Sequence, residues 1–98
     1  MTHYSLAVVS NLIGETDEAF KHYREAIRLN PRFAKAYSNL AMMHYAIKAG
    51  QLTIENLLKA KRLFTEQGDP MMAANADNLL RECCKEFSLS PDDFEEAL

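Results

Sequence analysis

One spacing governs what this chain can fold into. His3, Leu6 and Ala7 near the start recur thirty-four residues later as Tyr37, Leu40 and Ala41. Between the two sets lie a turn at Gly14, then Ala19, Tyr23 and Ala26, and Pro31 closes the unit. A period in the range of twenty to fifty residues is the mark of stacked supersecondary units, each too small to bury its own apolar face. Any fold in which every element has a unique environment is therefore a poor fit.

Within each period the apolar residues keep helical spacing. Ala19, Phe20, Tyr23, Ala26 and Ile27 define one face, and Tyr37, Leu40, Ala41, His44 and Tyr45 define the next. Thr16 is placed to cap a helix whose first turn holds Asp17 and Glu18, where acids complement the helix dipole. Arg24 and Arg28 lie near its end, and Asn30-Pro31 stops it. Gln67-Gly68-Asp69-Pro70 breaks the chain again, and Ser90-Pro91-Asp92-Asp93 reads as a further helix start. The pattern predicts helices at about 2–13, 16–29, 33–48, 53–67, 71–87 and 91–97. With three Gly and three Pro in 98 residues, the connections must be short.

The opening helix of each unit, with an aromatic, two residues, Leu and then a small residue, is similar to that of the tetratricopeptide repeat, whose pattern continues with A-x3-F and a closing Pro. The similarity is fullest over residues 3–48, extends to 70 and fades beyond. It implies an all-α protein of antiparallel helix pairs stacked as a short right-handed superhelix (an alpha-alpha superhelix). The chain then reads as a single helical-repeat domain over 1–98. Repeat one spans about 1–33, repeat two about 34–72, and a degenerate third pair about 73–98. Leu40 to Leu79 and Pro31 to Pro70 are both thirty-nine residues, so repeat two carries a five-residue insertion, expected around Gly50 to Asn56, where Ala60 and Phe64 restore A-x3-F.

Composition narrows the function. A net charge of −3 provides no basic surface for nucleic acid. No run approaches the roughly eighteen apolar residues of a membrane span, and no secretion signal is evident at the start. The adjacent Cys83 and Cys84 read as reduced thiols of a cytoplasmic protein. His3, His22 and His44 show no metal-ligand spacing, with His22 expected on an exposed face and His44 in an aromatic slot. Phosphate-cradling glycine motifs are absent. The reading is a non-enzymatic chain needing no cofactor and no metal.

The resemblance implies protein–protein interaction, because the first helix of each tetratricopeptide pair lines a concave groove that holds a peptide or protein segment. The groove positions are Tyr4, Val8, Asn11 and Leu12 from the first pair, then Lys35, Ser38, Asn39, Met42 and Tyr45 from the second. The third supplies Ala74, Asp77, Asn78 and Arg81. Met43 should face the core. The five-residue clamp by which one subtype takes the carboxylate tails of heat-shock chaperones retains only Asn39, so that function is not expected. The superhelix of O-linked N-acetylglucosamine transferase is more similar, carrying Asn in one slot of successive repeats. Asn39 and Asn78 would share that slot here, with Ser5 in the first repeat, and an amide can pair with a bound backbone whatever its side chains. The alternative is a self-assembling scaffold element or a fragment of a longer array, because the outward face of the first helix has no solvating cap.

Overall fold

The computed structural model describes residues 3–89, and within them the chain forms five α-helices and no strand. They are α1 (His3–Leu12), α2 (Thr16–Leu29), α3 (Ala34–Ala46), α4 (Gly50–Glu66) and α5 (Pro70–Phe87). The architecture is the all-α helical repeat implied by the sequence. The helix expected at 91–97, with Ser90-Pro91-Asp92-Asp93, lies outside the described residues.

The helices pack as successive hairpins, and the core is divided accordingly. Ala7, Ala19 and Tyr23 of the first hairpin meet Ala36, Leu40 and Met43 of α3. Ala41, Ile54, Leu57 and Leu58 of the second hairpin meet Leu80, Cys83 and Cys84 of α5. A third cluster joins Ala34, Ala60, Leu63, Phe64 and Ala76 at the other end of the same helices. Each hairpin thus completes the core of its neighbour, as stacked repeats require. The alanines matter because a methyl group lets two backbones approach, and Ala7, Ala19, Ala36, Ala41 and Ala60 are wholly enclosed. Met43 is in the core, as its spacing predicts.

The same turn closes α1, α3 and α5, and α4 as well, where the amide N of Asp69 donates to Phe64 O at 2.9 Å after left-handed Gly68 at φ 73°. The amide N of Glu15 donates to Ser10 O at 2.8 Å, that of Ala49 to His44 O at 2.9 Å, and that of Leu89 to Cys84 O at 2.9 Å. The residue before each donor is left-handed: Gly14 at φ 84°, Lys48 at 61° and Ser88 at 55°. This is the closure of a helix end in which a left-handed residue lets the next amide satisfy an orphan carbonyl. Glycine enters that conformation freely, whereas Lys48 and Ser88 pay for their Cβ atoms.

Three expectations change. The turn of 47–49 is no longer than that of 13–15, so the insertion is not near Gly50. Thr53, Leu57 and Ala60 occupy in α4 the enclosed places of Ala19, Tyr23 and Ala26 in α2. The slot needs a small residue rather than an alanine as such. Thr53 fits because its hydroxyl donates back to Ala49 O at 2.9 Å, leaving no polar atom unsatisfied. The added residues lie between Ala60 and Ala76: α4 has 17 residues against 14 in α2, and α5 starts early at Pro70. Second, the register of α5 is one residue later than the leucine spacing suggested. Ala76, Leu80, Cys83 and Cys84 are buried in the manner of Ala36, Leu40, Met43 and His44. Leu79 is only half-buried, packed against the edge of the same cluster. Third, Thr16 is the first helical residue of α2 rather than its cap; Glu15 holds the cap position and its side chain makes no cap hydrogen bond. The well-formed cap is at α5, where Asp69 accepts from the Met72 amide at 3.2 Å and Pro70 follows at the first position.

No helix among the described residues is long and apolar enough to cross a membrane.

Candidate interaction surface

The first helix of each hairpin stands beside the next. Asn39 Nδ2 on α3 donates to Tyr4 Oη on α1 at 2.9 Å. Tyr45 Oη on α3 donates to Glu86 Oε2 on α5 at 2.5 Å, and its ring meets Phe87 edge-on. These contacts align α1, α3 and α5 in one row, with α2 and α4 behind them.

Around Asn39 the row is an aromatic and amide cluster. Tyr4 packs against Phe33 with ring centroids 4.8 Å apart and meets Tyr23 edge-on at 6.0 Å. Burial pushes the Tyr23 hydroxyl above its ordinary pKa, and the neighbouring Asn39 amide opposes that shift. The Tyr23 phenol therefore stays protonated at neutral pH and acts as a hydrogen-bonding group. Tyr45 is likewise raised, chiefly because its proton is held by Glu86.

The sequence-derived groove residues distribute unevenly along this row. Tyr4, Val8, Ser38, Asn39 and Met42 are half-buried, whereas Asn11, Leu12, Lys35, Tyr45, Ala74, Asn78 and Arg81 are exposed. Tyr4 and Val8 pack on the first cluster and Met42 on the second, so each shows only part of its side chain. Asp77 accepts from Lys61 Nζ of α4 at 2.8 Å and pairs with Arg81 at 3.1 Å, which turns this pair toward the helix behind. Lys61 holds the Asp77 carboxyl below its ordinary value. The later register of α5 also separates the two asparagines. Asn78 falls in the slot of Ser38, and the slot of Asn39 passes to Leu79, so the amides do not repeat in one position.

Two contacts escaped the sequence reading. Tyr4 and Asn39 are partners, a pairing legible once Asn39 is placed one repeat after Ser5 and next to the hairpin bearing Tyr4. His22, expected on an exposed face, is half-buried and stacked on His3 with their Nδ1 atoms 3.0 Å apart. Antiparallel pairing of α1 with α2 was the available signal for that contact. His44 is buried against the Phe20 ring, in keeping with its aromatic slot.

Residues 12–47, from the end of α1 to the end of α3, match the family described as TPR repeat. The chain carries a tetratricopeptide repeat over these residues. Among curated proteins this chain is similar to the photosystem I assembly protein Ycf3 of Cyanophora paradoxa, with 30% identity over 97 residues. That alignment takes in 98% of this chain and 49% of the relative, so the chain spans about half the relative's length. The matched repeat marks the chain as a helical-repeat module of the protein-interaction kind.

Proposed function

We propose that the module holds an extended segment of a partner protein along the row α1, α3, α5, with Asn39 as its central polar anchor. One observation carries the reading: Asn39 is half-buried and orientated by Tyr4, amid the partly covered apolar surface of Val8 and Met42. The amide N–H side is engaged by Tyr4 and lies beside the Tyr23 hydroxyl, which leaves the amide oxygen as the acceptor with which to meet a bound backbone N–H. A side chain held in place loses less conformational freedom on binding than a free one. Exposed Lys35, one turn earlier on α3, faces solvent and would suit an acidic residue of the segment. That the relative assembles photosystem I makes a protein subunit the natural class of partner; which subunit is a matter for capture with the purified chain.

The test is mutational, on a partner obtained by that capture. Asn39→Ala should weaken binding a few-fold to tenfold, the effect of losing about 0.5–1.5 kcal/mol of hydrogen bonding. Tyr4→Phe removes the orientating bond but keeps the amide, so it should weaken binding less than Asn39→Ala does. Unchanged affinity in Asn39→Ala and Met42→Ala, with loss in Lys21→Ala on exposed α2, would place the contact on the outer helices instead.

A second reading has its own support. Leu6 and Val9 hold in α1 the places by which Leu40 and Met43 seat α3 on the first hairpin. Val9, Leu12 and Ile13 are exposed. This end of the stack is therefore shaped to receive another hairpin, from a second copy or from a longer array. Sedimentation at micromolar concentration tests the second copy: association that disappears in Val9→Asp supports it, and a monomer throughout excludes it.

A further inference from the structure

His3 on α1 and His22 on α2 face each other across the first hairpin, partly buried, with rings 30° from parallel and centroids 5.3 Å apart. No role in packing a repeat calls for two imidazoles there; a pair of ordinary aromatics would fill the same space. We propose that the His3–His22 pair is a site for one divalent transition-metal ion of the zinc class, held by the two Nδ1 atoms.

The bite is right. Zinc–imidazole bonds are about 2.0–2.1 Å, so nitrogens 3.0 Å apart subtend roughly 95° at the ion. That angle lies between octahedral and tetrahedral values, and small ring rotations reach either. The protonation pattern is also suitable. His22 Nε2 lies 3.7 Å from Glu18 Oε2, and this carboxylate favours a proton on Nε2 and leaves the Nδ1 lone pair free. His3 then donates from Nδ1 to His22 Nδ1. When an ion enters between them, His3 carries its proton on Nε2 instead, by exchange with water, and no net proton is gained or lost at neutral pH. Glu18, 3.7 Å from His22 Nε2, is then placed to accept the Nε2–H after a small side-chain shift, as the outer carboxylate partner that a metal-bound histidine ordinarily has.

Ligand type sets the class of ion. Imidazole nitrogen suits zinc, cobalt, nickel and copper and does not select magnesium or calcium. Among the described residues no group of three or more His, Cys, Asp or Glu side chains could hold a metal. The ion would therefore keep water in its remaining positions, and the site would be open to a further ligand. Its position is on the first hairpin, away from Asn39, so it does not depend on the partner-binding proposal.

The probe is Zn2+ alone, titrated into the full chain by calorimetry at pH 7.5, with Co2+ as a spectroscopic substitute and Mg2+ as the contrasting ion. The expected result is one Zn2+ per chain, no Mg2+ binding, and a rise in melting temperature with excess Zn2+ because the ion binds only the paired conformation. His22→Gln and His3→Gln should each abolish the binding while circular dichroism shows the helices intact. Glu18→Gln should weaken it about tenfold or more, the usual effect of losing an outer-shell partner. Affinity should fall as pH drops below the ordinary histidine range, since protons then compete. Zinc bound equally well by His22→Gln, or lost instead in Cys83→Ser with Cys84→Ser, would overturn the assignment, as would no binding up to millimolar Zn2+.

Discussion

Gly50 is the first residue of α4, and the sidewall it meets is the ring of Phe87 on α5. A Cβ built at Gly50 would lie 2.7 Å from Phe87 Cγ, 2.9 Å from Cδ1 and 3.1 Å from Cβ. These are atoms at the root of the side chain, so turning the ring does not clear them. The ring is also held from the other side by Tyr45, whose centroid is 5.9 Å away. Alanine for glycine would ordinarily stabilise a helix by up to about 1 kcal/mol, and less in a first turn. Overpacking of this kind costs about 1–3 kcal/mol. The clash should win, so Gly50→Ala should be destabilised by about 1 kcal/mol or more. For a chain of this size that lowers the melting temperature by roughly 4–8 °C per kcal/mol. A double-mutant cycle with Phe87→Ala, read by thermal and urea melts, isolates the cause. With the ring gone, Gly50→Ala should become neutral or mildly stabilising, giving a coupling of about 1–2 kcal/mol. If Gly50→Ala stabilises the parent, or if the two changes add within about 0.5 kcal/mol, the close approach of α5 to the start of α4 is wrong.

Two further predictions concern the core. Ala41 is wholly enclosed beside Ile54 and Leu57, so Ala41→Leu should cost about 1–3 kcal/mol in a urea melt, and a melt matching the parent would contradict the stacking. His44 is buried beside Phe20, and its pKa is lowered, first by burial and then by the charge of Arg24. The unfolded chain binds that proton more readily, so stability should be full above the ordinary histidine value of about 6.5 and decline as pH falls from there toward the lowered value. His44→Gln should flatten that part of the stability–pH curve; an unchanged slope would show that His44 is not its source.

How far the fold was legible depended on whether one residue or a relation between residues had to be read. The helices from Thr16, Ala34 and Pro70 follow from local signals, because Asn30-Pro31 and Gly68-Asp69-Pro70 stop a helix whatever surrounds them. The place of the insertion did not follow. Thr53 and Leu57 do not look like Ala19 and Tyr23, yet small-then-large volume is all their slot requires, and alanine at 60 with phenylalanine at 64 imitated the pattern about two turns away. Leu79 and Leu80 are neighbours of equal hydrophobicity, so only the stripe completed by Ala76 and Cys83 decides between them. The candidate surface was legible as a row of helices. Its internal ties were not: Asn39 to Tyr4, Asp77 to Lys61 and His3 to His22 each join different helices, and none leaves a spacing signature within its own.

The turns at Gly14 and Lys48 act as a fixed zero from which each of the two hairpins is counted. Length added inside either turn would rotate the returning helix off its partner, whereas length added after it is carried outward to the junction with the next hairpin. That is where this chain carries its surplus. Three more residues in α4 than in α2 amount to about 4.5 Å of extra rise before the chain turns into α5. The junction at Gln67 to Asp69 is thus the seam at which such an array tolerates editing. Whole turns can be spliced in or removed there to reset the pitch between neighbouring hairpins, while the hairpins themselves stay interchangeable parts.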